Sequence, residues 1–453
     1  MEYINETVGL VQNAYKQVVS NDEKPSSKEL APFMYAISQG FLRHEQASEI
    51  EKAVKAWAKR LDIWSDPDTG SVRDGDMYNT MTAYLHPVSI LDTEEKYNQY
   101  VWIGKFYAFL YYIDDRFGND TQCEEDLPLV TAFREGLVGY LSGKKDCMSV
   151  IAIADLNQEQ KLELTKVFLA LKSLLASMRT FNPIWQKFFM KTVKQHLQAA
   201  TENYESIIAE GKLDIDSYSW TRINVAGMNL SEALMILAEQ NFEYLVVRQA
   251  NDISFRADSL VNFTCHYDGE ELSINNIFES IKNFCQKYQS ETLSELTTET
   301  SILAMLYAVI KNAEIERCIT LNQLLDVHRF LTLSVASEWN DVMSVWKELL
   351  IEGSLFNIVP VVFLQTGAVG MSTVVKDVSA FLDNKTKLAF LLDAFFNALD
   401  ESVYTTNNRD GMAVKQTVTT HSQALLNGVR AGRKWQETTG RYNSVLSAIK
   451  CQM

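Results

Sequence analysis

"WNDVMSVWKE", Trp339–Glu348, places Asn340, Ser344 and Glu348 at steps of four in a stretch otherwise patterned for burial. An α-helix advances about 100° per residue, so each step of four returns to within about 40° of the same face. The three oxygen-bearing side chains therefore line one side of the helix that this stretch predicts. Propensity does not explain them, because Asn and Ser compete with the helix for backbone partners. The stripe fits either a solvated face or a site for a hard cation, which takes oxygen ligands. Lys347, beside Glu348, adds a positive charge.

The surrounding chain reads as helix in most places. Its 453 residues are 47% hydrophobic and hold only 7 Pro and 19 Gly. Few breakers and long apolar periodicity predict a mostly helical protein with a large core. Residues 93–113, "TEEKYNQYVWIGKFYAFLYYI", carry aromatics on every side, which predicts a buried helix. It is expected to exit through "DDRFGND", 114–120, where Gly118 and Asn119 can end it. Residues 158–211 predict two helices broken near "TFNPIW", and 217–240 predict helix on both sides of Gly227. Residues 326–450 hold three or four strong helices, with loops expected near "DNKTK" and "TTNNRDG". Residues 241–325 show no clear pattern. Internal repeats, long heptad runs, an alternating strand series and Gly-rich phosphate loops are absent.

Composition narrows the function. A formal net charge of −16 disfavours nucleic acid, whose phosphates need basic surface. A phosphate ligand would need a local cationic cluster or metal ions. The six cysteines are scattered, with no CxxC pair, which argues against zinc and fits a reducing compartment. The first residues lack a secretory or transit pattern, so the expected location is cytoplasmic. "FNIVPVVFLQTGAVGM", 356–371, is too short to span a membrane and is interrupted by Asn357, Pro360 and Gln365; it predicts a buried helix.

A second oxygen-rich stretch is "YYIDDRFGND". Asp114 and Asp115 end the aromatic helix, and Asn119 and Asp120 follow. Adjacent carboxylates at the tip of an apolar helix are costly unless solvated or neutralised. Magnesium commonly bridges one or two carboxylates to a substrate phosphate. Two separated sets of hard oxygens could clamp several magnesium ions around a diphosphate.

On these residues the chain resembles the class I terpene synthases of the microbial and octocoral type. "NDVMSVWKE" matches the family's ND-x-x-S-x-x-x-E motif in full, including the Lys before the last Glu. Asp114 and Asp115 match the leading acids of its aspartate-rich motif. The trailing acid is displaced, with Gly118 and Asn119 at the expected places, which leaves Asn119 or Asp120 as the trailing ligand. "WQETTGRY" sets Trp435 six residues before Arg441 and Tyr442, the family's C-terminal pattern. "YSWTRINVAG" resembles the helix break that carries a diphosphate-sensing arginine, here Arg222.

The resemblance implies an all-α class I terpenoid synthase bundle around a deep active-site cavity, one domain over residues 1–453. It implies that Asp114, Asp115, Asn340, Ser344 and Glu348 hold three Mg2+ ions in the family's manner. Arg222, Lys347, Arg441 and Tyr442 would bind the diphosphate, and Asp114, Asp115, Arg222, Arg441 and Tyr442 would be the catalytic set. The substrate would be geranylgeranyl or farnesyl diphosphate, cyclised to a terpene by a monomer or homodimer without a membrane span. Aromatic rings can stabilise cations, and Trp102, Phe106, Tyr107, Phe109, Tyr111, Tyr112, Trp220 and Trp339 are candidates for that role or for the core. The long separation of Arg222 from Asn340 implies an insertion within 241–325. Arg248 and Arg317 are the other sensor candidates. "ANDISFRAD" repeats the Asn-Asp pair at Asn251 and Asp252, and Ser254 and Asp258 could share a helix face with Asn251, but it lacks the Lys-Glu ending. A chain-elongating prenyltransferase, which would need a second aspartate-rich motif, and a non-catalytic helical scaffold are the alternatives.

Overall fold

Capping explains where several helices begin. In the computed structural model Asn157 accepts from the Gln160 amide at 2.9 Å, and Gln160 accepts in return from the Asn157 amide at 3.1 Å. Thr320 and Gln323 repeat the arrangement at 3.3 and 2.9 Å. Such reciprocal caps satisfy amides that the first helical turn leaves unpaired. The structure describes residues 2–20, 27–39, 41, 44, 46–61, 91–117, 127–141, 143, 147–200, 204–249, 253–288, 318–366, 370–406 and 409–438.

Among these, the longer helices are α1 (Glu2–Ser20), α2 (Pro32–Gln39), α3 (Ala47–Leu61), α4 (Glu94–Phe117), α5 (Leu127–Leu141), α6 (Gln158–Met178) and α7 (Pro183–Ala200). They continue as α8 (Ile215–Val225), α9 (Met228–Ala238), α10 (Ile274–Tyr288), α11 (Leu321–Lys347), α12 (Ile358–Thr366), α13 (Met371–Ala398) and α14 (Gly411–Thr438). Short helical turns join them. The strands are β1 (Ser254–Arg256), β2 (Thr264–Tyr267), β3 (Glu270–Ser273) and β4 (Cys318–Thr320). No helix among the described residues is long and apolar enough to cross a membrane. The chain divides into two compact units, one of Met1–Phe41 with Ala199–Glu437, the other of Leu42–Gln198 with Thr438–Met453.

The second unit is built on α4, which packs against α3 and α6. Tyr100, Trp102, Phe106, Tyr107 and Phe109 are all buried, as the all-round aromatic pattern requires. Trp102 stacks on Phe106 at 5.3 Å and meets Phe181, Trp185 and Phe189 edge-on. Its indole N–H donates to the Leu174 carbonyl at 2.9 Å. These rings bury one another, and the geometry is that of attractive aromatic pairs. The helix outlasts its expected end: Asp114 and Asp115 are still helical, in its last turn, and Phe117 closes it.

The first unit is organised by α11, which is buried round most of its circumference and packs along α13, α8 and α12. So central a helix should be apolar, yet His328, Thr332, Ser334, Ser337, Glu338, Asp341 and Ser344 are buried on it. Several hydroxyls solve this locally by folding back on the preceding turn, Thr332 to the His328 carbonyl at 3.0 Å and Ser337 to Leu333 at 3.1 Å. Glu338 is paired instead with Lys385 of α13 at 2.8 Å. Helix α14 lies beside α11 and runs the same way: Ser422 meets His328, Arg433 covers Trp339, and Gln436 reaches Asn340.

"DNKTK", 383–387, is not a loop but the middle of α13. Asp383, Lys385 and Thr386 are buried with partners: Asp383 accepts from the Met34 amide at 2.9 Å, Lys385 pairs with Glu338, and Thr386 donates to Leu382 at 2.8 Å. Between α9 and α11 the chain makes an excursion that closes on itself. Strand β1 pairs antiparallel with β4, so Ser254 lies opposite Thr320 and Arg256 opposite Cys318. Strands β2 and β3 form a second ribbon, and α10 packs on α13. Strands of three or four residues are too short to show alternation in sequence.

Candidate functional site

Helix α8 is capped by Asp214, whose carboxylate accepts from the Ser217 amide at 2.7 Å, and ends at Val225. Gly227 follows with φ +65, a left-handed conformation that side chains resist, and α9 starts directly after it. This break leaves Arg222 in the last turn of α8, and Tyr218 one turn earlier on the same face. Both reach Asp341 of α11. Arg222 donates to Asp341 Oδ1 from Nε at 2.8 Å and from Nη2 at 2.7 Å. Tyr218 Oη donates to Oδ2, and the Ile358 amide lies 3.3 Å from the same oxygen.

These residues are far apart in sequence, and the chain between them makes its excursion between the paired strands β1 and β4. Asp341 is fully buried. Burial pushes its carboxyl up to about 7, with Glu348 acting in the same direction and Arg222 against it. Burial also works against the Arg222 charge, but Asp341, Tyr218 and Glu348 outweigh it and hold the guanidinium protonated. The Arg222 guanidinium also lies 5.7 Å from the Phe356 ring centroid.

One turn further on, Ser344 and Glu348 meet side chain to side chain, and Asn340 joins them through its backbone carbonyl. Ser344 Oγ lies 2.8 Å from the Asn340 carbonyl and 2.7 Å from Glu348 Oε1. Asn357, fully buried, donates from Nδ2 to Glu348 Oε2 and to the Asp341 carbonyl, both at 2.8 Å. At Glu348 the helix widens into a π turn, Glu348–Glu352, a form that often marks functional positions. Gly353 ends it at φ +70, and Gln12 of α1 donates to the Leu349 carbonyl at 2.8 Å.

Two of the oxygens are spaced as neighbouring ligands of a magnesium ion would be. At metal–oxygen distances of about 2.1 Å, adjacent octahedral ligands stand roughly 3 Å apart, and Ser344 Oγ and Glu348 Oε1 are already at 2.7 Å. Asn340, Ser344 and Glu348 carry one carboxylate among them. No group of three His, Cys, Asp or Glu fit to hold a metal occurs among the described residues. A set with one charge holds magnesium best when a substrate phosphate completes the shell.

The other sequence candidates fall as follows. Lys347 is paired with Glu352 on the π turn. Arg248 is committed to Asp326 at 2.8 Å and to Glu232 at 3.9 Å, not to Asp341. Ser254 is in a strand and Asp258 in a separate helical turn, bound to Arg256 at 2.6 Å, so the expected shared helix face does not form there. Trp339 is buried, whereas Trp220 is exposed and stacks on Phe330 at 6.0 Å. Arg116, next to the aspartate pair, is held by Glu163 at 2.7 and 3.1 Å. The side chains of Asp114 and Asp115, and residues Asn119, Asp120, Asn251, Asp252, Arg317, Arg441 and Tyr442, lie outside the described residues. Asp341, Tyr218 and Asn357 were not among the sequence candidates. Tyr218 could have been found four residues before Arg222; the signal at Asn357 was that it interrupts an apolar run.

No family model matches the sequence, and no curated protein matches it. Among solved structures the chain is similar to α-eudesmol synthase, with 11% identity, a TM-score of 0.51 and coverage of 88% of this chain and 97% of that one. It is similar to the SVS_A2 protein from ancestral sequence reconstruction, with 13% identity, a TM-score of 0.50 and coverage of 88% of each. Cucumene synthase matches with 12% identity and a TM-score of 0.48, over 88% of this chain and 98% of that one. The first two show the fold: the chain shares the all-α architecture of α-eudesmol synthase and the SVS_A2 protein.

Proposed function

We propose that this protein is a class I terpene cyclase that ionises an acyclic isoprenyl diphosphate, geranylgeranyl or farnesyl diphosphate, and folds the resulting cation into a cyclic terpene. The observation that carries this is the meeting of Arg222 with the Asn340–Ser344–Glu348 ladder through Asp341, on a fold of this kind. A guanidinium has five N–H donors. Asp341 takes two from Arg222, and the others can bind diphosphate oxygens.

Asp341, Tyr218 and Asn357 act as positioning residues. They fix the guanidinium and the Glu348 carboxylate before substrate arrives, which is the form of electrostatic help that needs no rearrangement during reaction. Asn340, Ser344 and Glu348 would hold magnesium, with Asp114, Asp115 and either Asn119 or Asp120 supplying the remaining ligands to a set of three ions. Bound there, magnesium would neutralise charge on the leaving diphosphate. Arg441, Tyr442 and Lys347 are proposed diphosphate contacts on the sequence motif; Lys347 must first leave Glu352. An insertion within residues 241–325 is proposed, in a single catalytic chain.

Incubation with each diphosphate and magnesium, followed by mass spectrometry of the organic extract, tests this. Hydrocarbon or terpene-alcohol products that vanish in Glu348→Ala support a cyclase. A longer diphosphate product would instead indicate chain elongation, and no turnover of either substrate would leave a scaffold.

A further inference from the structure

Gln436 is unexplained by the fold. It lies on α14, almost wholly buried, with 4% of its surface exposed. Its Nε2 donates to Asn340 Oδ1 at 3.5 Å, and its Oε1 is buried without a partner. Trp339 Nε1, on the residue before Asn340, is likewise buried without a partner. Buried polar atoms are normally satisfied, and exceptions point to a water or ion that is needed there. Of the two, Gln436 Oε1 belongs to the side chain that touches Asn340.

The amide geometry suggests what is needed. Gln436 Nε2 and Oε1 belong to one planar amide, so a half-turn about its last bond exchanges them. As it stands, the N–H side faces Asn340 Oδ1. A cation on Asn340 Oδ1 would repel that N–H side and attract the oxygen. We propose that Gln436 is an additional oxygen donor to the cation at Asn340, directly or through one bound water, its amide turning over when the ion binds. This rests on the magnesium–diphosphate reading of the ladder. Arg433, buried one turn earlier on α14 and stacked 3.9 Å over Trp339, holds this end of α14 against α11. It fixes the distance that the Gln436 side chain spans.

The test uses the full chain with Mn2+ and inorganic diphosphate, bound Mn2+ being read by loss of the free-ion electron paramagnetic resonance signal. Gln436→Met keeps the length and removes the amide; Gln436→Glu keeps the oxygens and adds charge. Losing an outer partner of a metal site costs about 10–100-fold in affinity. Gln436→Met is expected to weaken the tightest Mn2+ site about tenfold, and Gln436→Glu to bind at least as well as wild type at pH 8. Both variants should keep the wild-type far-UV circular dichroism, which separates ligation from packing. If Gln436→Met binds within twofold of wild type while Asn340→Ala is weakened, the Gln436 proposal fails and the ladder stands. If Asn340→Ala also binds like wild type, no ion sits on this face and both fail. If Gln436→Glu is as weak as Gln436→Met, the oxygen is not the feature that matters and the proposal is overturned.

Discussion

Arg222→Met would remove the guanidinium and leave the Asp341 carboxylate buried without its countercharge. Breaking one partner from a buried pair costs about 3–5 kcal/mol. Tyr218 and the Ile358 amide stay behind as donors, so about 3 kcal/mol is expected. Asp341→Asn strands the Arg222 charge instead and should cost about the same. The double variant Arg222→Met, Asp341→Asn carries neither charge and is expected to lose about 3 kcal/mol, no more than either single change. The singles would sum to about 6 kcal/mol, so the coupling is about 3 kcal/mol.

Urea unfolding followed by far-UV circular dichroism at pH 8.5 measures the cycle. Additivity within about 0.5 kcal/mol would refute the buried pair as the link between α8 and α11. The pH dependence gives a second check. Burial holds the Asp341 carboxyl up at about 7 even with Arg222 present, and without Arg222 it rises further. A carboxyl raised in the folded state keeps its proton there, so its contribution to stability falls as pH rises through that window. Below pH 7 Asp341 is protonated in both proteins. Above it only the variant keeps paying, and the gap widens by up to about 1.4 kcal/mol per pH unit. A gap that stays flat from pH 5 to 9 would refute this assignment. Turnover should not return in the double variant, because the guanidinium is still missing.

Glu348→Ala and Asp114→Ala are each expected to lower turnover by at least about 100-fold with an unchanged far-UV spectrum, and near wild-type rates in either would sink the metal clamp. Asn340→Ala should reduce turnover far more than Asn251→Ala; the reverse ranking would move the second metal site to residues 251–258. Gly227→Ala forces a side chain into the left-handed region at φ +65, so a loss of about 1–2 kcal/mol is expected in thermal melts, with reduced turnover because the break aims Arg222. Burial would raise Glu232, but Arg329, His421 and Arg248 outweigh it and bring it down to about 2. A depressed carboxyl stabilises above its unfolded value and loses that stabilisation as pH falls through its folded one. Glu232→Gln should therefore be less stable than wild type at pH 7 and converge with it as pH falls from about 4.3 towards 2, as followed by acid titration.

The helices were legible wherever their signal was local. The apolar period of α11, the aromatic sheath of α4 and the glycine break at 227 each follow from residues within a few positions. "DNKTK" was misread because its partners are remote: Met34 and Glu338 satisfy Asp383 and Lys385 from other helices. A polar run looks like a loop until those partners are known. The ladder was legible because a four-residue step is itself a helical contact. The bond from Arg222 to Asp341 was not, since no local rule joins α8 to α11 across the excursion. Asn357 and Gln436 act on the site from outside its motif, and a motif records only its own strand of chain. The π turn at Glu348 was not read from the sequence either; Gly353 ends it, and Gln12 of the remote α1 donates to the Leu349 carbonyl inside it.

The pairing of β1 with β4 makes residues 257–317 a module by topology but not by energy. Antiparallel partners stand about 5 Å apart, so a tight hairpin turn could join Arg256 to Cys318. Helix α10, however, buries Ile277, Phe278, Ile281 and Phe284, and Phe284 stacks on Phe381 of α13 at 4.2 Å. Each such side chain is worth about 1.5–3 kcal/mol, and together they rival the 5–15 kcal/mol that holds a typical protein folded. A chain shortened at the ribbon would close without strain and still fail to cover α13. What the segment contributes to the core is therefore the amphipathic helix that α10 lays on α13.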